Sequence, residues 1–461
     1  MTKAIAFSSK AITKLTTPQL LKGGLYLTWG ASLLVLITTI AGVQSQRHAI
    51  KTVGKDSVPS ILTAQRINDA FTGMDANAVN ELLVKPGQNP DAFKGYEERR
   101  QKLAERLVVA AENITYGDAE RKPIQTMQLA VGEYLAKIQQ ARDANERGDT
   151  NGVLVAYREA AKIMDNTLIP AADALDKANS DELEKTYNAQ QFSSGGTLFF
   201  VVISDLLLLG VLVAIQLFLS NRMRRTLNPM LLGATAIAIV FLGYTTWTFL
   251  SASKNLRVAK EDAFASMHAL RKLRAFAYSI NADESRYLLD KAFAAQHEQA
   301  FFDKAAKIAR VPDGLTFEAV VAELQQDKNK KVDGLFTGYI ADELKNITFP
   351  GERDAAVATL KTFGVYLNID KQIRQLEQSG RHADAIALCV GNKSEQSNWA
   401  FTQFLIANNK AFDINQAAFD KAVEQGFKDV DGFEVTTPVV VVAIALLTLF
   451  GLRPRLNEYS L

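Results

Sequence analysis

Apolar residues gather into four blocks with almost no charge, and the charged residues crowd the long stretches between them. The blocks fall at 25–43, 197–219, 230–250 and 435–452. Each approaches the roughly 20 apolar residues that a helix needs to cross a bilayer. Asp205 is the one acid inside them. It costs a few kcal/mol at membrane depth unless it faces protein or an interface, and is read as an intramembrane polar contact between helices, with a functional role as the alternative. Tyr26, Trp29, Tyr244 and Trp247 stand near block ends, where interfacial aromatics collect.

Between the first two blocks the pattern is helical. Ile61, Ala64, Ile67, Ala70, Phe71 and Met74 recur at helix spacing. Lys85–Pro90 breaks the pattern. Further helices are predicted at about 91–113 and 119–147, the latter with Leu129, Gly132, Leu135 and Ile138 on one stripe. A turn at Gly148-Asp149 leads into a fourth helix that runs on towards the second block. No strand-like alternation interrupts the series, so a four-helix bundle is the natural solution.

Laid on itself with a shift of 206 residues, the chain matches Asp56 to Asp262, Arg66 to Lys272, Asn77 to Asp283 and Leu82-Leu83 to Leu288-Leu289. With a shift near 232, Asn113-Ile114-Thr115-Tyr116 meets Asn346-Ile347-Thr348-Phe349, and Arg142 meets Arg374. The pattern predicts an internal repeat of span, domain and span. The change of shift implies an insertion of about 26 residues near Pro312–Lys331 in the second copy. The expected fold is an all-α membrane protein with four transmembrane helices and two extracytoplasmic four-helix bundles.

Basic residues in the short flanks set the orientation. Lys3, Lys10, Lys14 and Lys22, then Arg222, Arg224 and Arg225, then Arg453 and Arg455 all fall on one side of a four-pass chain. That side is expected to be the cytoplasm. The division is then a basic cytoplasmic N-terminus (1–24), the first span (25–43), bundle one outside (44–196), the second span (197–219) and a cytoplasmic turn (220–229). The third span (230–250), bundle two outside (251–434), the fourth span (435–452) and a cytoplasmic tail (453–461) follow. The first block is too long for a signal-peptide core and is read as a retained anchor. Residues 4–21 fit either a basic amphipathic helix on the membrane surface or a basic tail.

A net charge of +2 over 461 residues offers no nucleic-acid footprint. One cysteine, Cys389, rules out an internal disulfide and any multi-cysteine metal centre, and its apolar surroundings point to buried packing. No Gly-rich phosphate loop, H-E-x-x-H or G-x-S-x-G is present. The expectation is a chain that is not an enzyme, with no catalytic residues, metal or cofactor. Asn113 and Asn346 match glycosylation acceptors but are read as helix-end residues. Arg66, Arg271, Lys272 and Arg274 are the candidate ligand-binding residues: arginine on a helix face can fork onto a carboxylate or phosphate, which suggests a small anionic ligand. The alternative is a solvated charged face.

The series Tyr134, Arg142, Gly148, Tyr157-Arg158-Glu159-Ala160-Ala161, Met164 and Leu168-Ile169-Pro170, with the basic turn into Asn228-Pro229, resembles the GlnX-type transmembrane sensors of actinobacteria. Those look like two bundles in tandem, each similar to the sensory domain of bacterial chemoreceptors. The resemblance implies a bacterial cytoplasmic membrane, a separate extracytoplasmic binding protein and a separate cytoplasmic kinase. Unlike chemoreceptors, the chain turns straight back after Arg222–Arg225, so signalling output is expected from partners. The leading expectation is a non-enzymatic sensor or receptor in the lipid bilayer, with protein partners on one or both sides and a possible homo-oligomeric state. The alternative is a structural scaffold or accessory subunit of a membrane assembly. A flexible linker at 44–50 or 190–197 would count against the sensor.

Overall fold

The computed structural model describes residues 16–223 and 227–458. The calls on Lys3, Lys10, Lys14, Arg224 and Arg225, and most of the proposed surface helix at 4–21, lie outside them. Contacts divide the chain into two compact units. One comprises Met1–Thr52, Lys185–Arg257 and Ala422–Leu461, and the other Val53–Glu184 and Val258–Lys421.

The first unit contains α1 (Thr17–Lys51), the later part of α6 (Ile169–Met223), α7 (Pro229–Arg257), the end of α14 (Ser397–Asp429) and α15 (Phe433–Asn457). Among the described residues, four helices are long and apolar enough to cross a membrane. Their exteriors are greasy: Leu27, Phe200, Val240, Trp247 and Val439 are all exposed. Their interior carries Thr28, Ser32, Thr39, Ser204, Asp205 and Thr245. Apolar outside with small polar groups inside suits a lipid solvent, where burying hydrocarbon gains nothing and close packing does. Gly42 shows the tightness, since a Cβ there would lie 2.7 Å from the Phe249 ring. Thr38 Oγ1 and Ser204 Oγ meet at 2.8 Å. Thr245 Oγ1 of α7 donates to Asp205 Oδ2 at 3.3 Å.

The second unit opens with a π-helical segment at Thr52–Ser57 and then α2 (Val58–Leu82), α3 (Pro90–Glu112), α4 (Asp118–Glu146) and α5 (Thr150–Ile163). A π segment at Met164–Leu168 leads into α6. Another, at Val258–Phe264, leads into α8 (Ala265–Leu289). Then come α9 (Ala294–Ile308), α10 (Phe317–Gln326), α11 (Tyr339–Lys345), α12 (Glu352–Gln378), α13 (His382–Val390) and α14. Gly87 and Gly148 adopt φ of +78° and +72° at the turns where the sequence breaks its pattern. Side chains accept cap bonds at two helix starts, Asn89 from Ala92 N and Asp149 from Gly152 N.

Two expectations change. Rather than two separate bundles, residues 53–184 and 258–421 form one compact unit with one continuous core. The reason is that α2 and α8 pack on each other and are buried on nearly every side, whereas the outer helix of a lone bundle buries one stripe. The second half also does not copy the single helix α3. It uses α9, α10 and α11, with the excursion between them pinned by reciprocal Arg310–Thr337 backbone bonds of 2.9 Å. Gly338 (φ +108°) packs directly on the Ile308 carbonyl, where a Cβ would not fit. This lies where the insertion is expected.

Other contacts occur twice. Glu120 Oε2 accepts from Thr115 N and Tyr116 N, both at 2.6 Å, and Glu352 Oε2 from Thr348 N and Phe349 N at 2.8 and 3.0 Å. Asn113 Nδ2 donates to Ser60 Oγ at 2.6 Å, and Asn346 Nδ2 to Ser266 Oγ at 3.0 Å. Both asparagines are C-caps by position, and their side-chain amides reach serines of α2 and α8 instead of their own helix ends.

A single core predicts a shared response. Phe71→Ala in α2 and Phe363→Ala in α12, each removing a fully buried ring, should cost about 3–5 kcal/mol. Hydrogen exchange on the full chain should show Phe71→Ala deprotecting α12 as well as α4. Deprotection confined to residues 53–184 would mean two independent bundles.

Candidate functional site

Helix α2 carries Asn68, Asp69, Thr72, Asp75 and Asn80 in buried positions, amid Ile67, Phe71, Met74 and Val79. Buried polar groups on a packed helix need partners, and α8 and its neighbours supply them. Arg286 of α8 is the hub. Its Nη2 donates to Asp75 Oδ2 at 2.6 Å, its Nη1 to Asp165 Oδ2 at 3.0 Å and Asp283 Oδ1 at 3.1 Å, and its Nε to Tyr157 OH at 3.0 Å. Lys304 Nζ closes the cluster on Asp283 Oδ2 at 2.6 Å. One turn away, Asn80 Nδ2 donates to Asn281 Oδ1 at 3.2 Å, and Ser285 Oγ to Asn80 Oδ1 at 2.6 Å.

Two pockets of about 530 Å³ each flank α2 and α8. The first is walled by α2, α3, α8 and α14. Arg99 and Arg106 reach it from α3, Arg271 and Arg274 from α8. Their one buried carboxylate is Asp69, while Asp91, Glu98 and Asp413 lie at the exposed rim. Arg274 Nε donates to Asp69 Oδ1 at 2.9 Å, Nη1 to Asn409 Oδ1 at 2.8 Å and Nη2 to Tyr278 OH at 3.2 Å. Arg99 lies 3.8 Å from Asp69 Oδ2 and also donates to Tyr278 OH. Gly73 makes room for it, because a Cβ there would collide with the Arg99 guanidinium. Arg271 stacks over Phe412 at 4.0 Å. Burial raises the Asp69 pKa, but Arg274, Arg99, Arg271 and Arg106 together hold it below the usual carboxylate range. Burial pushes Arg271 down to about 10, with Arg66, Arg274 and Arg106 adding to the fall and Asp69 opposing it. Asn77, Asn80 and Asn281 line the rest.

The second pocket is of opposite character. Asp173, Asp176 and Asp181 of α6 face it, with Lys177, Lys272 and His268. Asp176 meets His268 Nε2 at 3.2 Å and Lys272 Nζ at 3.4 Å, and Asn68 Nδ2 donates to Asp173 Oδ1 at 2.7 Å. Stacked Phe276 and Tyr339 form an apolar wall.

Of the four sequence-predicted ligand residues, Arg271 and Arg274 enter the first pocket, Lys272 enters the second, and Arg66 is exposed outside both. The Arg66 carbonyl accepts from Arg106 Nη1 at 2.5 Å. Arg99, Arg106 and Asp69 escape a sequence reading. The arginines sit in a helix dense with charges, and the faint signal is an aspartate amid the helix-spaced Ile67, Ala70 and Phe71. Cys389 is buried as expected, its Sγ near Ser285 Oγ (3.4 Å) and Glu284. Among the described residues no cluster of three metal-ligating side chains occurs.

Residues 49–188 match the family model of an actinobacterial sensor domain. No curated protein and no solved structure matches the chain. The match supports a sensor domain and a sensor role. It covers Asp69, Arg99 and Arg106 of the first pocket, while Arg271 and Arg274 lie beyond it.

A buried carboxyl pair gives a pH prediction. Glu343 and Glu352 are both buried, and Glu343 Oε2 and Glu352 Oε1 have no hydrogen-bond donor among the described residues. Burial, then the Glu352 charge, pushes Glu343 up to about 8. The native state keeps a proton that the unfolded chain releases, so this group's contribution to stability falls as pH rises from the usual carboxylate range to about 8. Glu343→Gln supplies a permanent donor. It should raise the melting temperature at pH 8.5 by about 3 °C or more and change little at pH 5. An equal effect at both pH values would show that the pair does not share a proton.

Proposed function

We propose that the chain is a non-enzymatic membrane sensor. Its unit of residues 53–184 and 258–421 lies outside the cytoplasm, takes a stimulus, and passes a shift of packed helices to a separate cytoplasmic partner. The observation that carries this is helical continuity. Helix runs unbroken from Thr17 to Leu82 and from Pro229 to Leu289, so the two helices that line both pockets are continuous in sequence with membrane-length segments. Residues 44–50 and 190–197, where a linker would argue against relay, are helical. The sensor-domain match over 49–188 supports the same reading.

In this reading the unit consists of two copies of one plan, which accounts for the twice-occurring Glu120/Glu352 and Asn113/Asn346 contacts. The basic residues flanking the membrane helices hold the termini in the cytoplasm. Five residues separate α6 from α7, at 224–228, so no output domain fits between them. In this reading a separate partner supplies the output.

The test is crosslinking and pull-down from native membranes with a C-terminal tag. Recovery of a cytoplasmic signalling enzyme is expected. Its recovery should fall with Ala49→Pro, which breaks α1 at a cost of about 3 kcal/mol. Stoichiometric recovery of membrane-complex subunits, insensitive to Ala49→Pro, would make the chain a scaffold instead.

A further inference from the structure

We propose that the first pocket is a binding site for a small organic acid or phosphorylated small molecule, whose oxyanion is held by Arg271 and Arg106 and flanked by Arg274 and Arg99. The proposal deepens the sensor reading and rests on it only for the meaning of binding, not for binding itself.

Charge is the first argument. Four guanidiniums converge on one buried carboxylate, and Asp69 is already engaged by Arg274 and Arg99. Arg271 and Arg106 therefore add positive charge that no buried acid of the lining offsets. Like charges brought together in a partly desolvated pocket repel, and an incoming anion relieves that repulsion. A guanidinium presents a planar fork that matches a carboxylate or phosphate.

Hydrogen bonding gives the second argument. One buried polar atom of this lining has no partner among the described residues, Arg271 Nε, and it is a donor. An unmatched guanidinium donor calls for a ligand that accepts. The second pocket provides the contrast: of its unmatched buried atoms, Asn68 Oδ1 is an acceptor and Ser180 Oγ is a hydroxyl able to donate or accept. Equal volume on the same two helices thus goes with opposite chemistry.

Size is the third argument. About 530 Å³ is within the usual range for a small-molecule pocket and far exceeds a bare oxyanion. The asparagines Asn77, Asn80 and Asn281 face the remaining space and suit a polar ligand body.

The experiment is isothermal titration calorimetry on the full chain in lipid nanodiscs, with citrate, succinate and inorganic phosphate as probes. Saturable binding of at least one is expected. Binding by citrate or succinate alone assigns a carboxylate, and by phosphate alone a phosphorylated ligand. Arg271→Gln should weaken it roughly tenfold or more. Arg106→Gln, at the pocket's outer side, should act in the same direction if Arg271→Gln fails to fold. Lys272→Gln, one residue along but in the second pocket, should leave binding within about twofold. No binding by wild type at about 10 mM, or equal binding by both arginine variants, would overturn the proposal. Because this readout needs no cytoplasmic partner, absent anion binding with a positive pull-down would sink the ligand class alone. The reverse pattern would sink the sensor reading and keep the site.

Discussion

The unit outside the membrane segments depends on one buried ion pair, Arg286 with Asp75. Two charges taken out of water cost several kcal/mol each unless attraction and further hydrogen bonds offset it. Here Asp165, Asp283 and Tyr157 complete the guanidinium, and Tyr134 and Tyr157 lie near Asp75. The pair joins α8, from the second half of the sequence, to α2, α5 and the π segment from the first. An apolar contact could slide by a turn at small cost. A buried fork cannot, because a slip would strand both charges. The pair thus sets the register of α2 against α8, and the register sets which side chains face each pocket.

That register explains the opposed pockets. Arg271 and Arg274 lie three residues apart and share a face, while Lys272 stands about 100° further round the helix and looks the other way. On the other side of the pair, α6 presents Asp173 and Asp176, whereas α14 presents Asn409 and Phe412. A single rigid helix pair therefore separates an arginine-rich chamber from an aspartate-rich one.

Much of this was legible in the sequence. The four membrane-length blocks, the helices near 91–113 and 119–147, and the glycine turns follow from periodicity and from backbone demands that are local. Arg271 and Arg274 were legible only as members of one set with Arg66 and Lys272, which the sequence did not divide between faces. The joining of the halves was not, because amphipathic spacing shows that a helix has an inner face but not how many neighbours it has. Even so, the run Ile67–Val79 has few long charged side chains, which is the mark of a helix with no solvent side. Arg99 and Arg106 were invisible for the opposite reason. In a helix as charged as α3, nothing local distinguishes an inward arginine from a solvated one.

Cys389 sits in the same core, and burial with the adjacent Glu284 charge holds its thiol well above its ordinary pKa. It is the sole sulfhydryl in the chain. The folded protein therefore presents a surface that is silent to thiol-directed reagents. A cysteine placed at any exposed position would be the only reactive one, so distance probes can be attached singly to the wild-type background without first removing a native residue.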